Sequence, residues 1–365
     1  MENNLLSTKR TRFGIYEAAL ASLLFIVFNF VFVQIYGFIP KNVRSLDIVY
    51  YVASFFLEFV FALTSIVVAL SRRIDIKKAS GIDKKISLKT VGYCFLISIV
   101  SLFGFGNLTT VFVNLLSVIG YSSILPDIVI NSFWQYLAYI ICSCVAPALF
   151  EEFLFRGTIL SGLKQCGIKI AVIVSALIFT FMHGNPEQTV HQFVIGALVG
   201  YIFFKTGNLW IGILIHFFNN FISVTQAYIL SGVYANSEST EVVASQTVTV
   251  LDFVITLIIA LILAYFGYCI VKYLIKKVMN EDQKLNGENE TVLDSISVDG
   301  KDVVVEVAVD GGVVSADSDL IERSENKLAE EKKPLSVGVI VMFTLSAAYM
   351  AFEWLSSLLI GLGVV

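Results

Sequence analysis

Charged residues are scarce in this sequence of 365 residues. Only 15% of them are Asp, Glu, Lys or Arg, whereas about 25% is typical of soluble globular proteins. The formal net charge of −4 includes no basic excess for binding nucleic acid. The five cysteines lie in or beside apolar runs, without the density of a disulfide framework or the spacing of a zinc finger. The sequence therefore argues against an ordinary soluble enzyme, a nucleic-acid-binding protein and a disulfide-rich domain.

Long apolar stretches account for most of the chain. Apolar residues make up 57% of it, and the mean hydropathy is +0.81. A helix needs about 20 apolar residues to cross the hydrocarbon core of a bilayer, and nine stretches meet or approach that length. They are 13–36, 48–70, 91–119, 132–162, 170–183, 192–204, 209–230, 248–275 and 335–364. We therefore predict an all-α, polytopic transmembrane helical bundle of about nine spans.

The basic residues predict how the chain is oriented. When the N-terminus is placed in the cytoplasm, 22 of the 25 Lys and Arg residues fall in cytoplasmic segments or, for Lys272, at the cytoplasmic end of the eighth span. An excess of this kind on the cytoplasmic side is the usual determinant of membrane-protein orientation. We expect an integral membrane protein of the plasma membrane with a cytoplasmic N-terminus.

A polar segment interrupts the apolar pattern late in the sequence. Residues 280–334 contain 15 of the 29 acidic residues, and the middle of the segment alternates apolar and polar residues between Asp-Gly pairs. That alternation is typical of a small β-hairpin. The predicted organisation is a membrane bundle over 1–279, an acidic cytoplasmic insert over 280–334 and a C-terminal transmembrane helix over 335–365. The insert is either a linker or a docking module for a partner.

Ionisable residues are concentrated in one window of the apolar sequence. The window holds all three histidines of the chain and three charged residues of the fourth span: Glu151, Glu152, Arg156, His183, His191 and His216. An ionisable side chain inside a span is costly and is a candidate for function by default. For His191, at the start of the sixth span, a structural role at the outer rim is expected instead.

The spacing of the charged residues predicts different roles for the two glutamates. Glu152 and Arg156 are four residues apart, so they are expected to form an ion pair on one helix face. Glu151 lies about 100° around the helix and lacks such a partner. Pro147 is expected to kink the helix because it removes a backbone hydrogen bond. An unpaired carboxylate near a kink is a candidate for chemistry; the alternative is that both glutamates only brace Arg156 and the neighbouring helices.

Counting along the helices brings four polar residues to one level. Glu151 and His183 are each roughly 20 Å from the basic turn between the fourth and fifth spans, at ~1.5 Å per residue. His216 falls in nearly the same layer, and Asn220 projects from the same helix face one turn later. We expect these four side chains to meet at one buried site.

Two chemical arrangements fit these residues. In the first, Glu151 is a general base for water, His183 helps to hold that water, and His216 with Asn220 stabilises the oxyanion of a tetrahedral intermediate. In the second, His183, His216 and a glutamate bind a metal such as zinc, and the metal activates the water. The sequence has no HExxH motif, no GxSxG motif and no phosphate-binding glycine loop. We favour the first arrangement, which needs no cofactor.

Three short motifs resemble those of the CAAX prenyl protease and bacteriocin-processing family of intramembrane endopeptidases. The motifs are Glu-Glu-x-x-x-Arg, Phe-x-x-x-His and His-x-x-x-Asn, and the matching residues are Glu151, Glu152, Arg156, Phe179, His183, His216 and Asn220. Each motif is weak by itself, but the three occur in the family's order on the expected spans. The resemblance covers residues 132–223, about a quarter of the chain.

The resemblance implies a glutamate-dependent endopeptidase with a catalytic core at about 132–223. The catalytic residues that it implies are Glu151, His183, His216 and Asn220, with Glu152 and Arg156 orienting the site. It implies membrane-associated, lipidated or hydrophobic peptides as substrates, the lipid bilayer as the surroundings and no nucleic acid. Bacterial members are associated with bacteriocin processing or self-immunity.

Two other functions remain in competition. The main rival is a non-catalytic member of the same fold that binds a peptide as an immunity or scaffold factor. An intact base opposite an oxyanion hole favours the enzyme, since binding alone requires neither. A transporter fits less well because the buried charges form one layer and no relay through the bilayer.

Overall fold

Nine long helices build the protein, which is described by a computed structural model over residues 10–123, 129–236, 250–287, 292–298, 301–307, 313–315 and 336–364. They are α1 (Ile15–Gly37), α2 (Asp47–Ser71), α3 (Leu88–Val118), α4 (Phe133–Cys166), α5 (Ile168–Met182), α6 (Thr189–Thr206), α7 (Leu209–Asn236), α8 (Val250–Asn286) and α9 (Val337–Gly361). Each corresponds to one predicted span. Two short helices, Lys41–Arg44 and Ile76–Ser80, lie in the connections.

Within the described residues, seven of these helices are long and apolar enough to cross a membrane. The other two are α5, with 15 residues, and α6, with 18. At ~1.5 Å per residue α5 is about 22 Å long, which is less than the ~30 Å of a hydrocarbon core. The chain is therefore an integral membrane protein with an all-α bundle, and the count of nine crossings stays a prediction.

α3 and α8 cross closely at a pair of glycines. A Cβ built on Gly104 or on Gly267 would lie 3.0 Å from the Cα of the other. Small residues at a crossing let two helix backbones approach, and such packing holds helices together in a bilayer. α8 continues to Asn286, so the start of the predicted insert is helical. Asp282 ties this end of α8 to the bundle, because its Oδ1 accepts a hydrogen bond of 2.7 Å from Asn208 Nδ2.

α4 lies inside the bundle and α9 closes one side of it. α4 packs against α1, α2, α5, α6 and α7, whereas α9 packs against α1 and α5. Trp354 of α9 donates a hydrogen bond of 2.9 Å from Nε1 to Thr189 Oγ1 at the start of α6. Its indole ring meets the ring of Phe181 edge-on, with centroids 6.0 Å apart. The C-terminal helix is thus fixed beside the loop that joins α5 to α6.

Three short strands lie in the acidic segment. They are β1 (Val292–Val298), β2 (Lys301–Val307) and β3 (Val313–Ser315). β1 pairs with β2 in antiparallel fashion, from Val292 opposite Val307 to Val298 opposite Lys301, and β2 pairs with β3 in the same sense. The strands fall in the stretch that alternates apolar and polar residues. Residues 316–335 of the segment lie outside the described part of the chain.

Candidate active site

α4 changes its helical geometry on both sides of the adjacent glutamates. Ile140–Val145 and Phe155–Leu160 are π-helical, and the α-helical segment Ala146–Leu154 lies between them. Such π-turns insert an extra residue into a helix and occur frequently at functional sites. The sequence predicts a kink at Pro147, and the structure has a π-helical segment directly before it.

Pro147 also accounts for the way in which Asn220 is held. A proline has no N–H, so the carbonyl of Ser143, one turn earlier, lacks its α-helical donor. Asn220 of α7 supplies a donor, since its Nδ2 donates to Ser143 O over 2.9 Å. One amide N–H thereby fixes Asn220 against α4, and the amide carries a second N–H for another acceptor.

Glu152 is the centre of a buried charge network. Arg156 Nη1 donates to Glu152 Oε1 over 2.7 Å, which confirms the predicted ion pair, and both side chains are 1% exposed. His216 Nδ1 lies 3.0 Å from the same oxygen. Arg156 also donates to Gly196 O, and its Cζ lies 4.5 Å from the centroid of the Phe179 ring. Because buried charges need such pairing, the network joins α4, α5, α6 and α7 around one point.

α7 can approach Glu152 because Gly212 faces the carboxylate. A Cβ built on Gly212 would lie 2.7 Å from Glu152 Oε2 and 3.0 Å from Val199 Cγ1. Contacts this short require one of the neighbours to move. Nothing in the sequence around Gly212 reveals this neighbour, which is set by how α7 packs on α4.

Glu151 has surroundings unlike those of Glu152. Its side chain is buried, and its Oε2, like Oε2 of Glu152, has no hydrogen-bond partner among the described residues. The difference is that only Glu152 has the guanidinium of Arg156 at 2.7 Å. His216 Nε2 lies 4.0 Å from this oxygen, slightly beyond hydrogen-bond distance. Glu151 therefore presents a buried oxygen to the imidazole of His216, while the other nitrogen of that ring is held by Glu152.

His183 follows the last residue of α5 and turns one ring nitrogen back toward that helix. Its Nδ1 lies 2.8 Å from Phe179 O. Since a carbonyl oxygen only accepts, we assign the proton to Nδ1, which leaves Nε2 as an acceptor. The Phe179 ring lies between the two histidines, 4.9 Å from His183 and 5.9 Å from His216 by centroids. No direct hydrogen bond joins His183 or Asn220 to Glu151 in the part of the chain that the structure describes.

Asn219, which the motifs do not include, links His191 to the site. It is buried, and its Nδ2 lies 3.1 Å from His191 Nε2 and 3.4 Å from Asn220 Oδ1. His191 was expected to have a structural role at the rim. Through Asn219 it also helps to set the amide orientation of Asn220. The Asn-Asn pair in the sequence is a weak signal of this arrangement.

Glu58 of α2 is a second residue that the motifs do not include. It is the only charged residue between positions 48 and 70. Its carboxyl group interacts with that of Glu151 across the contact between α2 and α4. A single acid inside an apolar span is the signal by which the sequence could have revealed it.

The second chemical arrangement, metal binding, needs several ligand side chains around one point. Among the residues that the structure describes, no group of three or more His, Cys, Asp or Glu side chains is placed to hold a metal ion. Nδ1 of His183 and Nδ1 of His216 contact Phe179 O and Glu152 Oε1, so Nε2 is the nitrogen of each ring that could bind a metal. A structural or catalytic zinc takes three or four such ligands in tetrahedral geometry, and the side chains as placed do not fit one.

Residues 133–222 match the family model described as Rce1-like, Type II CAAX prenyl endopeptidase Rce1-like. The matched segment begins at the start of α4 and ends just beyond Asn220, so it includes both glutamates and all three histidines. The match covers about a quarter of the chain, includes the three motifs and supports the CAAX prenyl protease and bacteriocin-processing family. No curated protein and no solved structure matches the chain. The match supports a protease of the CAAX type, and Glu58 lies outside the matched segment.

Proposed function

We propose that the protein is an intramembrane endopeptidase that cleaves membrane-associated, lipidated or hydrophobic peptides with a water molecule activated by Glu151 and His183. One observation carries the proposal. Oε1 of Glu152 contacts both Arg156, at 2.7 Å, and His216, at 3.0 Å, whereas Glu151 has no cationic partner closer than His216 Nε2, at 4.0 Å, among the described residues. A general base must be placed to accept a proton, and Glu151 is the carboxylate of this pair that meets the requirement.

The proposed reaction is hydrolysis of one peptide bond. Glu151 accepts a proton from water, and the water oxygen adds to the carbonyl carbon of the substrate. The tetrahedral intermediate then breaks its C–N bond, and Glu151 returns the proton to the leaving amine. His183 accepts a hydrogen bond from the water at Nε2 and keeps it in place. One water is consumed, and a new carboxyl group and a new amine are formed.

His216 and Asn220 are the proposed oxyanion hole. In this role His216 donates from Nδ1 to Glu152 and from Nε2 toward the substrate oxygen, which requires a proton on both nitrogens. The compensating charge of Glu152 is 3.0 Å from the ring. Asn220 donates its second N–H, with the amide held by Ser143 O. Donors fixed in advance in a water-poor interior stabilise a developing negative charge strongly.

A groove between α2 and α4 supports the proposed class of substrate. It has a volume of ≈ 250 Å³ and an apolar lining that includes Tyr51, Phe55 and Cys142. Phe55 also packs edge-on against Phe150, the residue before Glu151, with ring centroids 5.7 Å apart. A groove of this kind beside the site suits a hydrocarbon chain or an apolar side chain. The distribution of basic residues supports an N-terminus in the cytoplasm, and we place the protein in the plasma membrane as part of the proposal.

The test compares membrane peptides from cells that produce the wild type, E151Q or E353Q. Glu353 lies exposed on α9, so E353Q removes a carboxylate of the same bundle that is not among the proposed catalytic residues. We expect E151Q to abolish one or more cleavage products, with accumulation of the uncut precursor, and E353Q to leave them unchanged. Each variant must reach the membrane in the same amount as the wild type.

The same comparison separates the enzyme from the non-catalytic rival. A peptide-binding factor does not need a base, so E151Q would retain its biological effect and leave the membrane peptides unchanged. Full activity of E151Q would therefore overturn the proposed peptidase. Loss of cleavage would also supply the natural substrate for kinetic measurements.

A further inference from the structure

α2 is fixed against α4 on both sides of Glu58. Phe55 and Phe59 of α2 meet Phe150 of α4 edge-on, with ring centroids 5.7 and 5.6 Å apart. Two turns further along α2, Ser65 Oγ donates to Phe153 O over 3.4 Å. These contacts fix the rotation of α2 about its axis, so that the side chain of Glu58 is directed at α4.

The carboxyl groups of Glu58 and Glu151 interact with each other at this contact. Each has an Oε2 that is buried and without a hydrogen-bond partner among the described residues. Two ionised carboxylates in contact repel strongly where water is scarce. Carboxyl pairs of this kind are stable when they share one proton, which forms a hydrogen bond from the neutral group to the charged one.

The cationic side chains near Glu58 and Glu151 already contact Glu152. A bound proton is therefore what removes the repulsion between the two carboxylates. Arg156 is bound to Glu152 at 2.7 Å, and His216 contacts that same carboxylate through Nδ1. The other titratable groups that face the pair are the thiol of Cys142, on the side of Glu58, and Nε2 of His216, which lies 4.0 Å from Glu151 Oε2. Glu17, another buried glutamate of the bundle, shows the contrasting solution: it contacts Arg10 at 2.8 Å and Arg72 at 3.1 Å.

We propose that Glu58 is a positioning residue, which carries a proton and donates it in a hydrogen bond to the carboxylate of Glu151. This inference rests on the proposed function for its catalytic meaning. The bond holds Glu151 with its second oxygen toward His216 and the attacking water. During hydrolysis the proton of Glu58 stays on Glu58, while Glu151 takes one proton from water and passes it to the leaving amine.

Infrared spectroscopy tests the shared proton without any substrate. The full-length protein in lipid nanodiscs is compared as wild type, E58Q, E151Q and the exposed control E353Q, through the C=O stretching band of protonated carboxyl groups. We expect E58Q to remove one such band. E151Q should shift the same band, because the acceptor changes from a carboxylate to a neutral amide, and E353Q should leave it unchanged. Should E58Q fail to fold, the shift caused by E151Q alone decides.

The spectra overturn the proposal in two ways. A wild-type spectrum without a band that responds to E58Q means that Glu58 carries no proton. A band that E58Q removes but E151Q does not shift means that the proton is not shared with Glu151. A purely structural Glu58 would give one of these two results.

Cleavage of the precursor identified with E151Q supplies the second readout. We expect E58L to lower the rate about 100-fold, the order of loss that follows when a reacting group moves by about 1 Å. E58Q should retain much more activity than E58L, because its amide still donates to Glu151. If E58L is as active as E58Q, Glu58 only fills space and the proposal is wrong.

Failure of this inference and failure of the proposed function look different. If E151Q abolishes cleavage but leaves the infrared band in place, the peptidase stands and the carboxyl pair does not. If E151Q shifts the band but leaves cleavage intact, the pair stands and the proposed peptidase does not.

Discussion

Single residues of the same type take different roles here because different helices face them. Glu152 finds Arg156 on its own helix, and the spacing of four residues made that ion pair predictable. Glu58 approaches Glu151 from α2, and no local pattern in the sequence encodes the rotation of one helix against another. The same reason hid Asn219, whose partner His191 lies on α6. Sequence motifs therefore identified the polar residues along α4, α5 and α7 but not those that complete the site.

Replacement of Arg156 by leucine should destabilise the protein strongly. The change leaves the carboxylate of Glu152 buried and without its cation, which costs about 3–5 kcal/mol when one partner of a buried pair is removed. Thermal unfolding in nanodiscs, followed by circular dichroism, measures the effect as a lower midpoint.

The matched control for that variant is Lys284→Ala. Lys284 pairs with Glu281 at 2.8 Å on an exposed face of α8. Exposed pairs contribute little to stability, so the midpoint should stay at the wild-type value. Equal losses in both variants would contradict the buried network around Glu152.

Gly212→Ala tests the close approach of α7 to Glu152. The added Cβ would lie 2.7 Å from Glu152 Oε2, so the carboxylate or the helix must shift, and overpacking of this kind costs about 1–3 kcal/mol. Cleavage should fall with stability because His216 moves with α7. Gly92→Ala is the control, since a Cβ there meets nothing within 4 Å. A Gly212→Ala variant with wild-type stability and activity would refute the tight contact.

At the scale of helices, α4 shows where prediction from sequence stops. Its position was predicted as 132–162, and the structure places it at Phe133–Cys166. The π-helical segments within it have no sequence signature of their own, apart from Pro147 as the mark of a missing hydrogen bond. A π-helical segment rotates the residues that follow it about the helix axis. Which residues face inward therefore depends on the backbone hydrogen bonds of the folded helix. The segment that carries the glutamates is therefore more irregular than a periodic pattern suggests.

Pro147→Ala restores the backbone donor that Ser143 lacks, and this predicts coupling to Asn220. In the wild type, N220A removes the donor at Ser143 O and should cost about 1–3 kcal/mol. In the Pro147→Ala background the new N–H satisfies that carbonyl, so the same change should cost less. A double-mutant cycle on thermal unfolding measures the difference.

Activity in the same cycle separates the two roles of Asn220. Both variants without Asn220 should be slow, by about 10²–10³ in kcat, since an oxyanion donor is lost whatever residue 147 is. Additive stability changes, with no coupling between the two positions, would show that Pro147 does not govern the bond from Asn220 to Ser143.

At the scale of the whole molecule, hydropathy was sufficient for the bundle. All nine predicted spans are helices, because each had enough apolar residues to bury or to place in lipid. The ends of the helices were less predictable, and α8 runs to Asn286, beyond the predicted limit of 275. Asp282 binds the loop before α7, and Asn286 binds the connection before α3. Polar anchors of this kind depend on contacts distant in sequence.

The orientation of the bundle leads to a labelling experiment. In a variant whose native cysteines are all replaced by alanine, Asn42→Cys and Lys78→Cys place single exposed thiols before and after α2. With the basic segments in the cytoplasm, a membrane-impermeant thiol reagent should label Asn42→Cys in intact cells and Lys78→Cys only after permeabilisation. The reverse pattern would invert the orientation, and equal labelling would contradict a crossing by α2.

The packing of α9 has a consequence for biosynthesis. A ribosome releases α9 after the other eight helices, yet α9 contacts α1, which is made first, and holds Thr189 near the loop that follows His183. The nascent chain therefore lacks one wall of the bundle until translation has passed the acidic segment. A chain that has been synthesised only as far as the acidic segment therefore lacks the hydrogen bond from Trp354 to Thr189 beside the loop that follows His183.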